Sequence, residues 1–250
     1  MRVDVLAIAS PGEAYDAMKS ATAQHTAPPG FRVEFVYGSA APGESAGTLA
    51  TTPLDRSYDV PENMVPGILD KSIAAMRAAL DSSDPPDYIV RTNASTWFHW
   101  DRLAAYLRAA PRAGLAAGYS PDHSHLCGCC IVLSADVARA LVDFDDFDKS
   151  LLDDLAIARA LARLGVAVAW IPRIDILADG IQGHGAEAGL DPGDAFQFRV
   201  KACLGGDSRA RQRDATIMAN MSGAYARGAR DVHDLLRAGL HGIAQLVPVE

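Results

Sequence analysis

This chain has no glycine-rich phosphate loop: neither a G-x-G-x-x-G nor a G-x-x-x-x-G-K-[ST] motif occurs in its 250 residues. That argues against the nucleotide enzymes that cradle phosphates on such loops. No apolar run approaches the roughly 20 residues that span a bilayer, and no basic leader precedes the first apolar stretch. The expectation is therefore a cytoplasmic protein without a membrane span. Basic residues are in deficit, with a formal charge of −8. Such a balance disfavours nonspecific binding to nucleic acid or to an anionic membrane, since both reward a cationic surface.

Cysteine is scarce as well. Three of the four cysteines crowd together as Cys127, Cys129 and Cys130, with Cys203 far along the chain. This is no disulfide framework. His123 and His125 stand just upstream, so a zinc site competes with simple packing. The run Cys129-Cys-Ile-Val-Leu reads as a buried strand in which cysteine acts as a small hydrophobe. Alternation would send Cys129 and Cys130 to opposite faces, and packing is the preferred reading.

What is present is an alternation of apolar strands and amphipathic helices. Residues 3–9 form a continuous apolar run ending in Ser10-Pro-Gly, as a buried parallel strand does. Helices are expected at 13–24, 65–80, 101–109, 135–142 and 152–164, the fourth capped by Ser134. Strands are expected at 31–37, 88–91, 129–133 and 166–171. Residues 38–55 carry no hydrophobic period and read as a long loop. The pattern predicts an α/β fold with a mostly parallel sheet flanked by helices. Ligands of such sheets sit outside the carboxyl ends of the strands, where Ser10 and residues 92–95 fall. From residue 207 onward the chain reads as a helical C-terminal extension on a domain of residues 1–206, and these helices offer a possible oligomer contact.

Three segments give a more specific pointer. They are Tyr88-Ile-Val-Arg-Thr-Asn-Ala-Ser-Thr-Trp-Phe, Gly128-Cys-Cys-Ile-Val-Leu-Ser, and Leu152-Asp-Asp-Leu-Ala-Ile. In order and spacing they resemble the core of inverting glycosyltransferases of the GT-A (Rossmann-like) fold, in particular the beta-1,3-galactosyltransferase and Fringe group. Upstream, the stretch from Asp59 to Lys71 is similar to that group's D-x-Y-x-N-L-T-x-K segment, with extra residues inserted. The resemblance implies a nucleotide-sugar donor, a UDP-sugar by family default, and a carbohydrate or small-molecule acceptor.

The resemblance also implies roles. Asn93 and Ser95 take the places of the paired aspartates of a D-x-D motif, which would hold Mn²⁺ or Mg²⁺ against the diphosphate. Neutral oxygens are weak ligands for such a cation. Either the donor's own phosphates hold the metal, or protein cations replace it; Arg199, Lys201, Arg209, Arg211 and Arg213 are available. That basic cluster equally suits a solvated helix face. Ser10, Asp59, Lys71 and Arg91 join the donor side, although helical projection makes Lys71 an ordinary exposed lysine. His184 is a possible late metal or phosphate contact. Trp97, His99, His123 and His125 are acceptor-side candidates, with packing as the plainer account of the aromatic cluster. Of Asp153 and Asp154, projection at 100° per residue turns Asp154 toward the apolar side. It is expected to be the general base, with first-turn capping as the competing explanation.

Overall fold

A computed structural model describes residues 1–39, 55–120, 126–177, 180–201 and 208–241. The strands are β1 (Val3–Ile8), β2 (Phe31–Ser39), β3 (Asp55–Pro61), β4 (Tyr88–Asn93), β5 (Thr96–Phe98), β6 (Ala116–Gly118), β7 (Cys130–Ser134), β8 (Val168–Trp170), β9 (Arg173–Leu177), β10 (Gly180–His184) and β11 (Gln197–Lys201). The helices are α1 (Glu13–Ala23), α2 (Gly67–Leu80), α3 (Trp100–Ala109), α4 (Ala135–Val142), α5 (Asp153–Arg163), α6 (Ser208–Ala226) and α7 (Val232–Leu240). None of the described helices is long and apolar enough to cross a membrane. The chain divides into two compact units: residues 1–10, 28–93 and 104–171 form one, and residues 11–27, 94–103 and 172–250 the other. The boundary expected at residue 206 is not the one the fold uses.

The first unit is α/β, with a seven-stranded, mostly parallel sheet in the order β3-β2-β1-β4-β7-β6-β8. Only β7 runs against its neighbours β4 and β6. The centre is fully buried because β1, β4 and β7 are runs of Val, Ile and Leu, as strands covered on both faces must be. Asp4 breaks the run of β1. It is buried, and burial pushes its carboxyl up while Arg32, its register partner on β2, pulls it back down. One face carries Leu6, Ile8, Ile89, Ile131 and Leu133 in a single cluster with side chains of α2, α4 and α5. Arg91 and Asn93 lie two and four residues beyond Ile89. Alternation along the strand sends both toward that helical side.

The second unit is built on a four-stranded sheet in the order β10-β9-β11-β5. Its apolar face holds Trp97, Phe198, Val200, Ile174 and Ile176, all buried. Helix α6 packs on α1, on α7 and on β11. The sequence reading anticipated the terminal helices but none of this sheet.

Two local expectations need correction. Ser134 does not cap α4 through its side chain; its hydroxyl accepts from Leu115 N at 2.9 Å and donates to Asp136 at 2.5 Å. Lys71 is not exposed: it is wholly buried, because the ammonium reaches past the helix surface to the end of β1.

Candidate functional site

The first unit contains a topological switch. After β1 the chain continues on the β2 side, and after α2 it returns as β4 on the opposite flank of β1. The carboxyl ends of β1 and β4, where Ile8 and Asn93 face each other, are thus the switch-point strand ends at which open α/β sheets bind ligands,. Lys71 Nζ donates to Ala9 O at 2.7 Å and to Glu62 Oε1 at 2.6 Å. Ser10 Oγ donates to the same Glu62 oxygen at 3.0 Å, and Gly38 N donates to its other oxygen at 2.5 Å. Glu62 thus ties together the ends of β1, β2 and β3 with α2. Sequence reasoning missed it, since a lone glutamate between a strand and a helix carries no pattern. Asp59 lies exposed on β3 and accepts from Ser39 Oγ at 3.4 Å.

At the end of β4 the central and downstream segments come together. Buried Arg91 donates to Asn93 Oδ1 at 2.9 Å, to the carbonyl of Gly128, and forms an ion pair with Asp153 at the start of α5. Gly128 N in turn donates to Asp154 Oδ2 at 3.2 Å, and Leu155 N donates to Asp154 Oδ1 at 2.9 Å. A side chain at position 128 would collide with Arg91, since a Cβ there would stand 2.6 Å from its guanidinium. Only glycine lets the loop close over the arginine. The expected pair changes roles on α5: Asp153 is the buried carboxylate and Asp154 is half-buried. The buried face runs through Ala156, Ile157, Ala160 and Leu161. These are positions i+3, i+4, i+7 and i+8 from Asp153, a stripe legible in the sequence. Burial raises the Asp153 carboxyl, and Arg91 opposes that rise.

These residues do not suit a divalent metal at 91–95. Asn93 already accepts from a guanidinium, and that positive charge stands where a dication would have to bind. Among the described residues no group of three His, Cys, Asp or Glu side chains is placed to share an ion. His184 faces Asp175 at 3.4 Å, and that carboxylate is also held by Arg173 at 2.7 Å and approached by Arg199 at 3.5 Å. Cys127, Cys129 and Cys130 are free thiols, the last pushed well up by burial. His123 and His125 lie outside the described residues, as does Arg209's side chain.

The acceptor-side aromatics belong to packing. Trp97 and His99 are 1% and 2% exposed, too deep to present a ring face to a sugar. Trp97 Nε1 donates to Ser222 Oγ at 2.9 Å, and the ring stacks on His25 with centroids 4.8 Å apart. His99 Nε2 faces Arg230 O at 2.9 Å, and burial lowers its pKa. Ser95 lies in the second unit, half-buried in the turn before β5, where its carbonyl accepts from Val200 N at 3.0 Å. Arg199 and Lys201 are on a strand, not a solvated helix face. Trp170, at the end of β8, is half-buried. No family model matches the sequence, and no curated protein is significantly similar to it.

Proposed function

We propose that this protein is an inverting glycosyltransferase of GT-A-like fold, moving a sugar from a nucleoside diphosphate to an acceptor hydroxyl with Asp154 as general base. The observation that carries the reading is the division of labour between adjacent carboxylates. Asp153 is neutralised by Arg91, whereas Asp154 is half-buried and held by two backbone N–H groups. A carboxylate offers about four lone-pair sites, so Asp154 keeps acceptor capacity after those two bonds. Its link through Gly128 to Arg91 at the switch-point end of β4 supports the assignment,. In the reaction Asp154 takes the proton of the acceptor hydroxyl as that oxygen attacks the anomeric carbon. The bond from that carbon to the diphosphate oxygen breaks, and the nucleoside diphosphate leaves with the electron pair. In this reading protein cations, rather than a metal held at Asn93, offset the charge of the leaving diphosphate.

The test is a thermal-shift screen of nucleoside diphosphates and nucleotide sugars, with Mn²⁺ and with chelator. Ligands that bind the folded state raise the melting temperature by mass action. A UDP-type ligand is expected to stabilise the protein equally in both conditions. Asp154→Asn should keep that stabilisation while transfer falls by a factor on the order of 10²–10⁴, the usual share of a general base. Undiminished transfer in the variant removes Asp154 from the mechanism. The absence of a shift with every nucleotide removes the transferase reading.

A further inference from the structure

The loop that carries Gly128 is bounded by two thiols. Cys127-Gly-Cys-Cys130 has the C-x-x-C spacing, and the structure folds it into a β-turn. Cys130 N donates to Cys127 O at 3.3 Å, with Gly128 and Cys129 at the two central positions. Such a turn brings its corner Cα atoms within about 7 Å of each other, and disulfides close over roughly 4.4–6.8 Å. The approach to the turn is extended: Cys127 N donates to Tyr119 O at 2.8 Å, just past β6. Leu126 before the turn and Ile131 after it both join the apolar cluster on the helical side of the sheet. Alternation in the extended chain therefore sends their inner neighbours, Cys127 and Cys130, to the opposite side. Cys129 is placed differently, its thiol directed back to Cys127 O at 3.8 Å. The pair is also unequal in access, since Cys127 is half-buried and Cys130 is buried.

We propose that Cys127 and Cys130 form a redox-active dithiol, oxidised to an internal disulfide by a small disulfide of the glutathione type. Cys127, the accessible thiol, loses its proton, and its thiolate attacks one sulfur of the small disulfide. That S–S bond breaks, one small thiolate leaves and takes up a proton, and a mixed disulfide remains on Cys127. Cys130 then loses its proton and attacks the Cys127 sulfur, releasing the second small thiol. Two protein thiols are thereby oxidised to one disulfide, and the small disulfide is reduced to two thiols. Burial pushes the Cys130 thiol well up, and Arg91 opposes that rise. A thiol held neutral suits Cys130 to resolve the mixed disulfide rather than to start the exchange. The turn is tied to its surroundings through Gly128, whose N–H holds Asp154 and whose carbonyl holds Arg91. A disulfide across the turn fixes the spacing of its corners and so acts on both of those bonds. The dithiol does not depend on the transferase reading.

The experiment equilibrates the full chain with reduced and oxidised glutathione at several ratios, quenches with an alkylating reagent and weighs the tryptic peptides. One peptide, Ala113 to Arg139, holds Cys127, Cys129 and Cys130, whereas Cys203 falls in another. An internal disulfide appears as that peptide with two hydrogens fewer and one alkyl label in place of three. This loss of labels is expected in the parent and in Cys129→Ser, is reversed by dithiothreitol, and is absent from Cys127→Ser and Cys130→Ala. If Cys130→Ala does not fold, the other two variants suffice: a bond lost in Cys127→Ser and kept in Cys129→Ser leaves Cys130 as its second end. A disulfide that survives in Cys127→Ser, or one lost in Cys129→Ser, overturns the proposal. So does a glutathione adduct that never resolves, or a peptide that keeps all three labels at every ratio. Nucleotide binding and transfer are no part of this readout, so the dithiol and the transferase reading fail separately.

Discussion

Arg91 joins three separate segments of the first unit. Its guanidinium is shared among Asn93, the Gly128 carbonyl and Asp153, so one residue fixes a strand end, a loop and a helix start. A buried ion pair of this kind adds little net stability over an apolar pair, but removal of one partner strands the other charge. Arg91→Met should therefore cost about 3–5 kcal/mol in urea unfolding. The double variant Arg91→Met/Asp153→Leu should recover much of that loss, a non-additivity that a double-mutant cycle reads directly. Additive losses would show that the pair does not act as a unit. The consequence for chemistry is that Asp153 is committed to structure and Asp154 is not.

At the level of elements, β5, α6 and the segment just past α1 meet through a chain of polar groups rather than by apolar packing alone. Trp97 Nε1 donates to Ser222 Oγ, which lies 3.1 Å from His25 Nδ1, while His25 Nε2 lies 3.1 Å from Phe98 O. A carbonyl only accepts, so Nε2 carries the proton and Nδ1 accepts from the serine. Every partner is satisfied by the neutral ring, and burial lowers its pKa from 6.5 to about 4. Between those values the unfolded chain binds a proton that the folded chain refuses, so stability rises with pH across the window. It is fully present above 6.5 and lost as pH falls toward 4. A difference of that size corresponds to about 3 kcal/mol. Chemical denaturation of the parent from pH 7 to pH 4 should show this decline, and His25→Gln should show less of it. A parallel decline in both proteins would assign the effect to other groups.

Across the whole molecule, the two units are discontinuous in sequence, and the second draws on residues from three parts of the chain. Helix α6 is the partner of α1 and carries buried Ile217, Met218, Met221 and Ser222. Truncation after residue 206 is thus expected to unfold the second unit rather than trim a dispensable extension. Near-ultraviolet circular dichroism from Trp97 and Trp100 should flatten, and limited proteolysis should cut within residues 11–27. A truncated chain with native-like spectra would restore the terminal helices to an appendage.

The sequence by itself determined β1, β2, β4, β7 and β8 and the helices α2, α4 and α5 of the first unit, because continuous apolar runs and helical stripes are local consequences of burial. It also singled out the strand ends at Ser10 and Asn93, the Gly128 segment and the adjacent aspartates, which lie in the first unit. Strands β3 and β6 were not anticipated, and the second sheet was overlooked, although Gln197-Phe-Arg-Val-Lys alternates strictly between polar and apolar and Arg173-Ile-Asp-Ile does so up to Leu177. Their charges read as solvated surface, because a one-dimensional pattern does not say that one arginine will be buried against an aspartate two residues away. Only the tertiary structure decided that Lys71 is buried, that Asp153 and not Asp154 carries the ion pair, and that Trp97 and His99 belong to packing. In each case the deciding term is a partner distant in sequence: Glu62 and Ala9 for Lys71, Arg91 for Asp153, Ser222 for Trp97 and Arg230 for His99. Electrostatic pairing across such distances is set by the fold, and local periodicity carries no record of it.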